Sequence, residues 1–307
     1  MAETEELSNK REVWLAAMRP RTLPLAVASI VMGSALAAAW QPFSWPVAIL
    51  CVLTAVLLQI LSNLANDFGD SQHGADHAQR EGPKRAVQSG AIGKNTMLKA
   101  MAIVAMLSMV SGLVLLWFAF GAETRELFVL FVVLGALAIL AAVAYTAGFK
   151  PYGYAGLGDL AVLLFFGWLG VMGTYFLHTQ RFDWIIILPA SCSGLLAVAV
   201  LNVNNVRDVE SDRLAGKRTI PVRIGPRKAR VYHWVLLTMA VLAAVAYVLL
   251  VYSSIWQFLF LLAVPLLIKN GLAVWRTYLP LELNPLLKQL SLVTLLFVLL
   301  FSVGQLL

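Results

Sequence analysis

The chain has 307 residues, of which 60% are hydrophobic and 13% are charged, and its formal net charge is +7. Soluble domains contain about a quarter charged residues, so this composition excludes a soluble globular protein and indicates an integral membrane protein. In such a protein the basic excess reflects topology, which makes nucleic-acid binding a poor explanation of the charge. Cys51 and Cys192 fall inside apolar segments, so no disulfide framework is expected.

Nine apolar segments are long enough to cross a ~30 Å hydrocarbon core as helices. In chain order they are predicted at 23–40, 46–66, 98–120, 126–147, 157–178, 185–205, 232–252, 255–275 and 286–306. They predict an all-α, polytopic membrane helix bundle that forms one domain over residues 1–307. Residues 1–18 are predicted to be a polar cytoplasmic tail without a cleavable signal peptide, and the first span anchors the chain.

The distribution of basic residues predicts the orientation of the bundle. Lys and Arg are retained on the cytoplasmic side of a membrane, and of the 23 Lys and Arg residues only Arg125 and Arg181 fall on the opposite face. The amino terminus is therefore predicted to be cytoplasmic and, because the number of spans is odd, the carboxyl terminus outside. The two longest connections, 67–97 and 206–231, lie on the cytoplasmic side.

Each of these connections begins with a polar and acidic cluster at the end of a span. The first cluster runs from Asn63 to Asp70 and the second from Asn202 to Asp212. Helix positions i, i+3, i+4 and i+7 share a face, which predicts two polar stripes: Asn63, Asn66, Asp67 and Asp70, and Asn204, Asp208 and Asp212. Ionisable groups at a membrane boundary are costly, so a functional site is their default interpretation.

Two facing carboxylate stripes suit Mg²⁺, which is usually held by one or two carboxylates together with substrate phosphates. The predicted metal ligands are Asp67, Asp70, Asp208 and Asp212. Basic residues in the same layer would neutralise phosphate oxygens; the candidates are Lys84, Arg85, Lys150, Arg207, Lys217 and Arg218. The alternative is a pair of solvated helix ends whose acids balance the arginines, and two matched clusters on corresponding spans argue against it.

At these residues the chain resembles the UbiA superfamily of intramembrane aromatic prenyltransferases. The resembling segments are 19–24, 62–70 with 74–76, Tyr145 with 151–159, 165–167, 204–212, Gly216 with Lys217, Thr219 and 222–225. They extend over nearly the whole chain, and the family implies nine spans. The third acid of the first motif, Asp76, follows Asp70 by six positions instead of four, as in the branch that prenylates 1,4-dihydroxy-2-naphthoate, and is a further candidate metal ligand.

The resemblance implies Mg²⁺-dependent transfer of a polyprenyl group from polyprenyl diphosphate to 1,4-dihydroxy-2-naphthoate, with loss of CO₂ and diphosphate. The product would be a demethylmenaquinol, made in a bacterial inner membrane. The substrate-binding residues that it implies, besides the basic ones, are Asn63, Asn66, Tyr145, Tyr154, Asn204 and Asn205. Aromatic faces can stabilise an allylic cation, and the candidates are Tyr145, Tyr152, Tyr154, Phe165 and Phe166; interfacial anchoring is the alternative for each.

Several single residues have two interpretations. Asp159 either binds or deprotonates the acceptor, as a catalytic residue, or caps the helix that it opens. Lys150 either contacts diphosphate, which the resemblance favours, or extends to the interface. Arg19 and Arg21 serve topology first, with contact to an acceptor carboxylate as the alternative. His73 and His77 have the i, i+4 spacing of a zinc site, but Gly74 lies between them and zinc is not expected.

Three other functions compete with this one. The nearest is a prenyltransferase of the same superfamily that acts on 4-hydroxybenzoate or another aromatic acceptor. A phospholipid alcohol-phosphate transferase also uses paired acids, but its acidic-Gly-x-x-Ala-Arg run is missing here. A cation transporter would carry its carboxylates near the midplane on broken helices, whereas these acids lie at one face.

Overall fold

The computed structural model describes residues 2–40, 43–72, 85–121 and 124–307, with side chains from residue 10 onwards. These ranges contain helices and no strand, and nine helical segments are long and apolar enough to cross a membrane. We number them spans 1 to 9: Lys10–Trp40, Trp45–Gln72, Lys94–Phe120, Arg125–Ala144, Gly158–Thr179, Trp184–Arg207, Pro226–Leu250, Ile255–Arg276 and Pro280–Leu306. The predicted all-α class and number of spans are confirmed.

The helices extend further on their polar side than the hydropathy pattern predicts. Span 2 continues to Gln72, six residues beyond its predicted end at 66, and span 7 begins at Pro226 instead of 232. Hydropathy falls where polar side chains begin, but the backbone hydrogen bonds of a helix continue past that point. The first acidic cluster therefore lies on regular helix, which fixes the directions of its side chains.

Span 1 is divided near its amino-terminal end. A helix over Ala2–Met18 stops before Arg19, Pro20–Thr22 form a 3₁₀ turn, and the helix resumes over Leu23–Trp40. The predicted polar tail is thus helical, and its apolar side chains Val13, Trp14 and Ala17 pack on the core formed by spans 2 and 3. The turn at Arg19 lies at the edge of the cavity described below.

Span 1 joins the two parts of the bundle. It packs against span 2 on one side and against spans 5 and 9 on the other, while spans 3 and 4 pack on span 2. The largest core lies among spans 1 and 5–9 and contains the fully buried Tyr247, Phe260 and Phe297. In contrast, no side chain of span 4 is buried. Span 4 therefore lies at the periphery of the bundle, and a cavity lies between the two parts.

Span 5 contains a π-helix over Leu163–Met172, bounded by α-helix on both sides. The carbonyl of Phe166 accepts hydrogen bonds from the hydroxyls of Ser29 (2.7 Å) and Ser193 (3.2 Å), which satisfy part of the altered backbone. π-Helical turns occur often at functional sites. Here the π-helix brings the neighbouring Phe165 and Phe166 both to the wall of the cavity.

The connection after span 6 forms a cap over the bundle. It contains two short helices, Val209–Leu214 and Ile220–Ile224. The amide of Arg218 donates to the carbonyl of Tyr154 (3.0 Å), which ties this cap to the loop after span 4. This close approach requires glycine at position 156, because a Cβ there would lie 2.3 Å from the carbonyl oxygen of Arg218. The φ of Gly156, +84°, also favours glycine. Two polar connections thereby meet at one end of the cavity.

We predict that Gly167→Ala destabilises the protein because spans 5 and 6 are in backbone contact there. An added Cβ would lie 2.7 Å from the carbonyl oxygen of Ala190 and 3.0 Å from Cα of Gly194. Overpacking of this kind costs about 1–3 kcal/mol, to be measured as a lower thermal midpoint in detergent. The matched control is Gly173→Ala in the same span, which meets no atom within 4 Å; an equal loss in both variants would contradict the prediction.

Candidate active site

A cavity of about 440 Å³ lies between spans 1–6 and reaches the polar cap. Its two ends differ in chemistry. The end below the cap is lined by the polar side chains of both acidic clusters, whereas the rest is lined by apolar residues that include Ile30, Leu115, Leu116, Phe131 and Leu177. Such a cavity suits an amphipathic molecule with a charged head and a long apolar body.

The first polar wall consists of Asn66 and Asp70 on span 2. The hydroxyl of Thr146 lies 2.8 Å from Oδ1 of Asn66, and this contact holds the amide against the cavity. Asp70 is 2% exposed. Its carboxylate accepts hydrogen bonds from Tyr154 (2.7 Å) and from the ammonium of Lys217 (2.8 Å), and it forms an ion pair with Arg85.

The second polar wall consists of Asn204, Asn205, Asp208 and Asp212 at the end of span 6 and in the cap. The amide of Asp212 donates to the carbonyl of Asp208 (2.8 Å), so the helical course continues across the break after span 6. The ammonium of Lys217 lies 3.5 Å from Oδ1 of Asp212 while it also contacts Asp70. One lysine therefore bridges the two acidic clusters, which face each other as the sequence predicts.

Burial shifts the pKa values of Asp212 and Tyr154 at this rim. It raises the pKa of Asp212 to about 6, and the nearby carboxylates Asp208 and Asp70 add to the shift while Lys217 opposes it. Burial also raises the pKa of Tyr154, and the negative charge of Asp70 raises it further. Tyr154 is thus a hydrogen-bond donor at neutral pH. Ionised Asp212 carries an electrostatic cost that a bound cation would offset.

The position of Asp67 differs from its predicted role as a metal ligand. Its side chain is buried and does not line the cavity. Its two carboxylate oxygens accept hydrogen bonds from the amides of Ala86 (3.1 Å) and Val87 (3.5 Å). On the helix, Asp67 lies one position beyond Asn66, which turns it about 100° away from the cavity face. Asn66, and not Asp67, therefore lies on the cavity wall. Asp67 instead holds in place the segment that carries Arg85.

Arg207 also differs from its prediction as a phosphate-binding residue. It is 5% exposed and forms two hydrogen bonds to Asp208 (2.8 and 2.5 Å). Its remaining donors contact Oδ1 of Asn204 (2.8 Å) and Oδ1 of Asn284 on span 9 (2.7 Å). Four of the five guanidinium donors are thereby engaged behind the second wall, where they orient Asp208 and Asn204.

Two further predicted residues lie away from the cavity wall. Lys150 is exposed, with Nζ 5.7 Å from the centroid of the Phe149 ring, so the geometry does not support its contact with a diphosphate. Asp159 does not line the cavity either, and its carboxylate accepts a hydrogen bond from Tyr232 (2.9 Å). The capping alternative for Asp159 is wrong, because the N-cap position of this helix is Leu157, which forms no side-chain capping bond.

The other predictions fall into two groups. Asn63, Tyr145, Tyr152, Tyr154, Phe165 and Phe166 line the cavity as expected. Asn63 contributes mainly as a support, because its amide donates to the carbonyl of Met18 (2.8 Å) and to the hydroxyl of Thr22 (3.1 Å). Lys84, Asp76, His73 and His77 lie outside the described residues. Their predicted roles stay predictions.

Sequence reasoning missed the residues that hold the site from behind. Thr146 contacts Asn66, Asn284 contacts Arg207, and Ser29 with Ser193 supports the π-helix. Each of these contacts joins residues at least 27 positions apart. No local pattern encodes such pairs. The only sequence signal was the adjacency of Thr146 to Tyr145.

The fold is that of the intramembrane prenyltransferases. A UbiA homolog from Aeropyrum pernix matches with a TM-score of 0.67 at 16% identity, covering 92% of this chain and 96% of the homolog. A UbiA homolog from Archaeoglobus fulgidus, solved with DMAPP and Mg²⁺, matches with a TM-score of 0.62 at 18% identity over 95% and 98%. The chain belongs to the UbiA prenyltransferase family, whose model matches residues 26–301.

Relatives of much higher sequence identity carry one name. A 1,4-dihydroxy-2-naphthoate octaprenyltransferase from Haemophilus influenzae is 49% identical and covers 100% of this chain and 99% of its own length. A protein of the same name from Escherichia coli is 47% identical over 98% and 97%. The predicted family is thereby confirmed, and the chain is a multi-pass membrane protein.

We predict that Arg207→Met destabilises the protein by about 3–5 kcal/mol, because it leaves the buried Asp208 without its cation. The measurement is the thermal unfolding of the purified protein in detergent. Adding Asp208→Asn should recover part of the loss, which a double-mutant cycle would quantify. Arg213→Met is the matched control, because Arg213 forms an exposed pair with Glu210 and exposed pairs contribute at most about 1 kcal/mol. Equal effects at the two arginines would contradict the assignment.

Proposed function

We propose that this protein transfers a polyprenyl group from a polyprenyl diphosphate to 1,4-dihydroxy-2-naphthoate, with release of diphosphate and CO₂, to give a demethylmenaquinol. The observation that carries the proposal is the cavity with an acidic, cation-bridged rim and an apolar interior. The relatives at 47% and 49% identity support the naphthoate acceptor and an octaprenyl donor through their names. 4-Hydroxybenzoate remains the alternative acceptor.

The donor set of the rim fits a hard divalent cation such as Mg²⁺. Oxygen ligands from Asn66, Asp70, Asp208 and Asp212 line one end of the cavity, and Mg²⁺ is typically held by one or two carboxylates and substrate phosphates. Within the described residues, no three acidic, histidine or cysteine side chains converge enough to hold an ion alone. The fit is therefore to a metal held jointly with a diphosphate. When bound, Mg²⁺ would supply charge neutralisation of the leaving group.

The residues of this chain bind and orient the donor in our proposal. Lys217 and Arg85 already lie at the carboxylates of the rim, and both can pair with phosphate oxygens. Tyr145, Phe165 and Phe166 line the cavity, and their aromatic rings would stabilise the developing allylic cation. The apolar residues beyond them would receive the isoprenoid chain and exclude water, which would otherwise capture the cation.

We further propose that the acidic rim lies at the cytoplasmic face, with the amino terminus on the same side. All but two of the Lys and Arg residues support this orientation. The diphosphate end of the donor would then stay in the polar cap while its chain stays within the bilayer. A bacterial inner membrane is the location that fits these substrates.

A product assay tests the function directly. Purified protein in detergent would be incubated with Mg²⁺, octaprenyl diphosphate and either 1,4-dihydroxy-2-naphthoate or 4-hydroxybenzoate, followed by mass spectrometry. We expect a decarboxylated octaprenyl naphthalenediol or its quinone, and no product after chelation of Mg²⁺ by EDTA. Product from 4-hydroxybenzoate alone would refute the acceptor, and product from neither, with an active-donor control, would refute the transferase.

We predict that Asp70→Asn lowers kcat/KM on the order of 100-fold, the size of effect seen when a preorganised electrostatic group is removed. The variant keeps the shape of a side chain that contacts Lys217, Arg85 and Tyr154 but loses its charge. The control is Glu210→Gln, which removes an exposed carboxylate of the cap at the same end of the cavity. Full Mg²⁺-dependent activity of Asp70→Asn would contradict its assignment to the rim.

A further inference from the structure

Arg19 has a backbone conformation that is unfavourable for its residue type. Its φ of 50° and ψ of 63° lie in the left-handed region, where side chains other than glycine are uncommon. Pro20 follows, and a residue before proline prefers an extended conformation. Strain of this kind persists only where the surroundings impose it, and it concentrates at binding sites.

Hydrogen bonds from both sides impose this conformation. The amide of Arg19 donates to the carbonyl of Ala16 (3.2 Å), and the amide and hydroxyl of Thr22 both donate to the carbonyl of Arg19 (2.9 Å each). Asn63 on span 2 fastens the same turn through Met18 and Thr22. The turn therefore holds Arg19 against span 2 at the edge of the cavity.

The side chain of Arg19 lines the cavity near the acidic rim. Its electrostatic neighbours are Asp70 and Asp67, which attract it, and Arg85 and Arg21, which repel it. These acids are engaged elsewhere, because Asp70 pairs with Arg85 and Lys217 and Asp67 accepts backbone amides. Within the described part of the chain, the Arg19 guanidinium forms no ion pair of its own. Its fork of donors is available to an anion in the cavity.

We propose that Arg19 binds the carboxylate of the aromatic acceptor, an inference that rests on the proposed function. In the proposed function, a diphosphate at the rim is paired with Lys217, Arg85 and a metal. These groups are then occupied, and the carboxylate on the acceptor ring needs a different cationic partner. From Arg19, span 1 continues along the same cavity through Leu25 and Ser29 toward Phe166. This places an apolar wall and an aromatic ring where the body of the acceptor would lie. A guanidinium pairs with a carboxylate through two parallel hydrogen bonds.

The test compares Arg19→Gly and Arg19→Lys with Arg11→Ala, which removes an exposed arginine of the preceding helix. Steady-state kinetics would be measured with the naphthoate varied at saturating donor, and with the donor varied at saturating naphthoate. In Arg19→Gly we expect the KM for the naphthoate to rise about tenfold or more, because this is the size of effect expected when a hydrogen-bonded charge pair is lost. Arg19→Lys should show a smaller rise, and Arg11→Ala none.

The glycine variant distinguishes a loss of binding from a loss of stability, because glycine adopts positive φ without strain. The thermal midpoint of Arg19→Gly should therefore equal or exceed that of the wild type. Naphthalene-1,4-diol, the same ring without a carboxylate, should inhibit both proteins with similar inhibition constants. An unchanged KM for the naphthoate would overturn the proposal, as would a lower thermal midpoint with an equal loss for both substrates.

Two outcomes distinguish this inference from neighbouring hypotheses. A rise in KM for the donor alone would overturn it and assign Arg19 to the diphosphate. If the wild type used only 4-hydroxybenzoate, the proposed function would fail, but the same comparison with that acid, which also carries a carboxylate, would still decide the role of Arg19. Turnover of neither acid by the wild type would overturn both proposals.

Discussion

The structure depends on the need of three buried carboxylates for compensating charge. Asp70, Asp208 and Asp212 are between 2% and 7% exposed, and an unpaired charge in such an environment is strongly destabilising. Lys217 compensates two of them at once, although it lies on a connection that is far from Asp70 in sequence. The ion pairs of Lys217 therefore hold the cap after span 6 over the end of span 2. The cap in turn closes the polar end of the cavity.

The two walls meet this requirement in different ways. Asp208 is fixed from behind by Arg207, a permanent partner that also contacts span 9 through Asn284. In contrast, Asp70 and Asp212 share a lysine whose ammonium can move on a flexible stem. In the proposed function, these carboxylates would hold the cation and Lys217 would pair with phosphate oxygens. The ionic contacts of this wall can therefore exchange partners, which suits the binding and release of charged molecules that we propose.

The sequence was sufficient for the fold and for the two polar stripes that meet at one end of the cavity, because spans and stripes are local and periodic. It was insufficient for the choice of residue within a stripe. A four-residue stripe of Asn63, Asn66, Asp67 and Asp70 covers a wide arc of the helix, and only packing decides which members face the cavity. Asp67 turned toward the amides of the next connection, a contact that depends on where the chain returns. Chemical type alone does not identify the members that face the cavity, because an aspartate is as good an acceptor for backbone amides as for a metal.

Arg19 shows the same limit for backbone conformation. Basic residues near a membrane end satisfy a topology rule, and this rule explains Arg19 without any ligand. It does not explain why a strained turn, fastened by Asn63 and Thr22, carries an arginine where glycine would fold more easily. A residue retained against its own conformational preference needs a benefit outside the folding of the chain. Binding an anion provides that benefit, since a guanidinium held rigidly at the cavity loses less entropy when the ligand arrives.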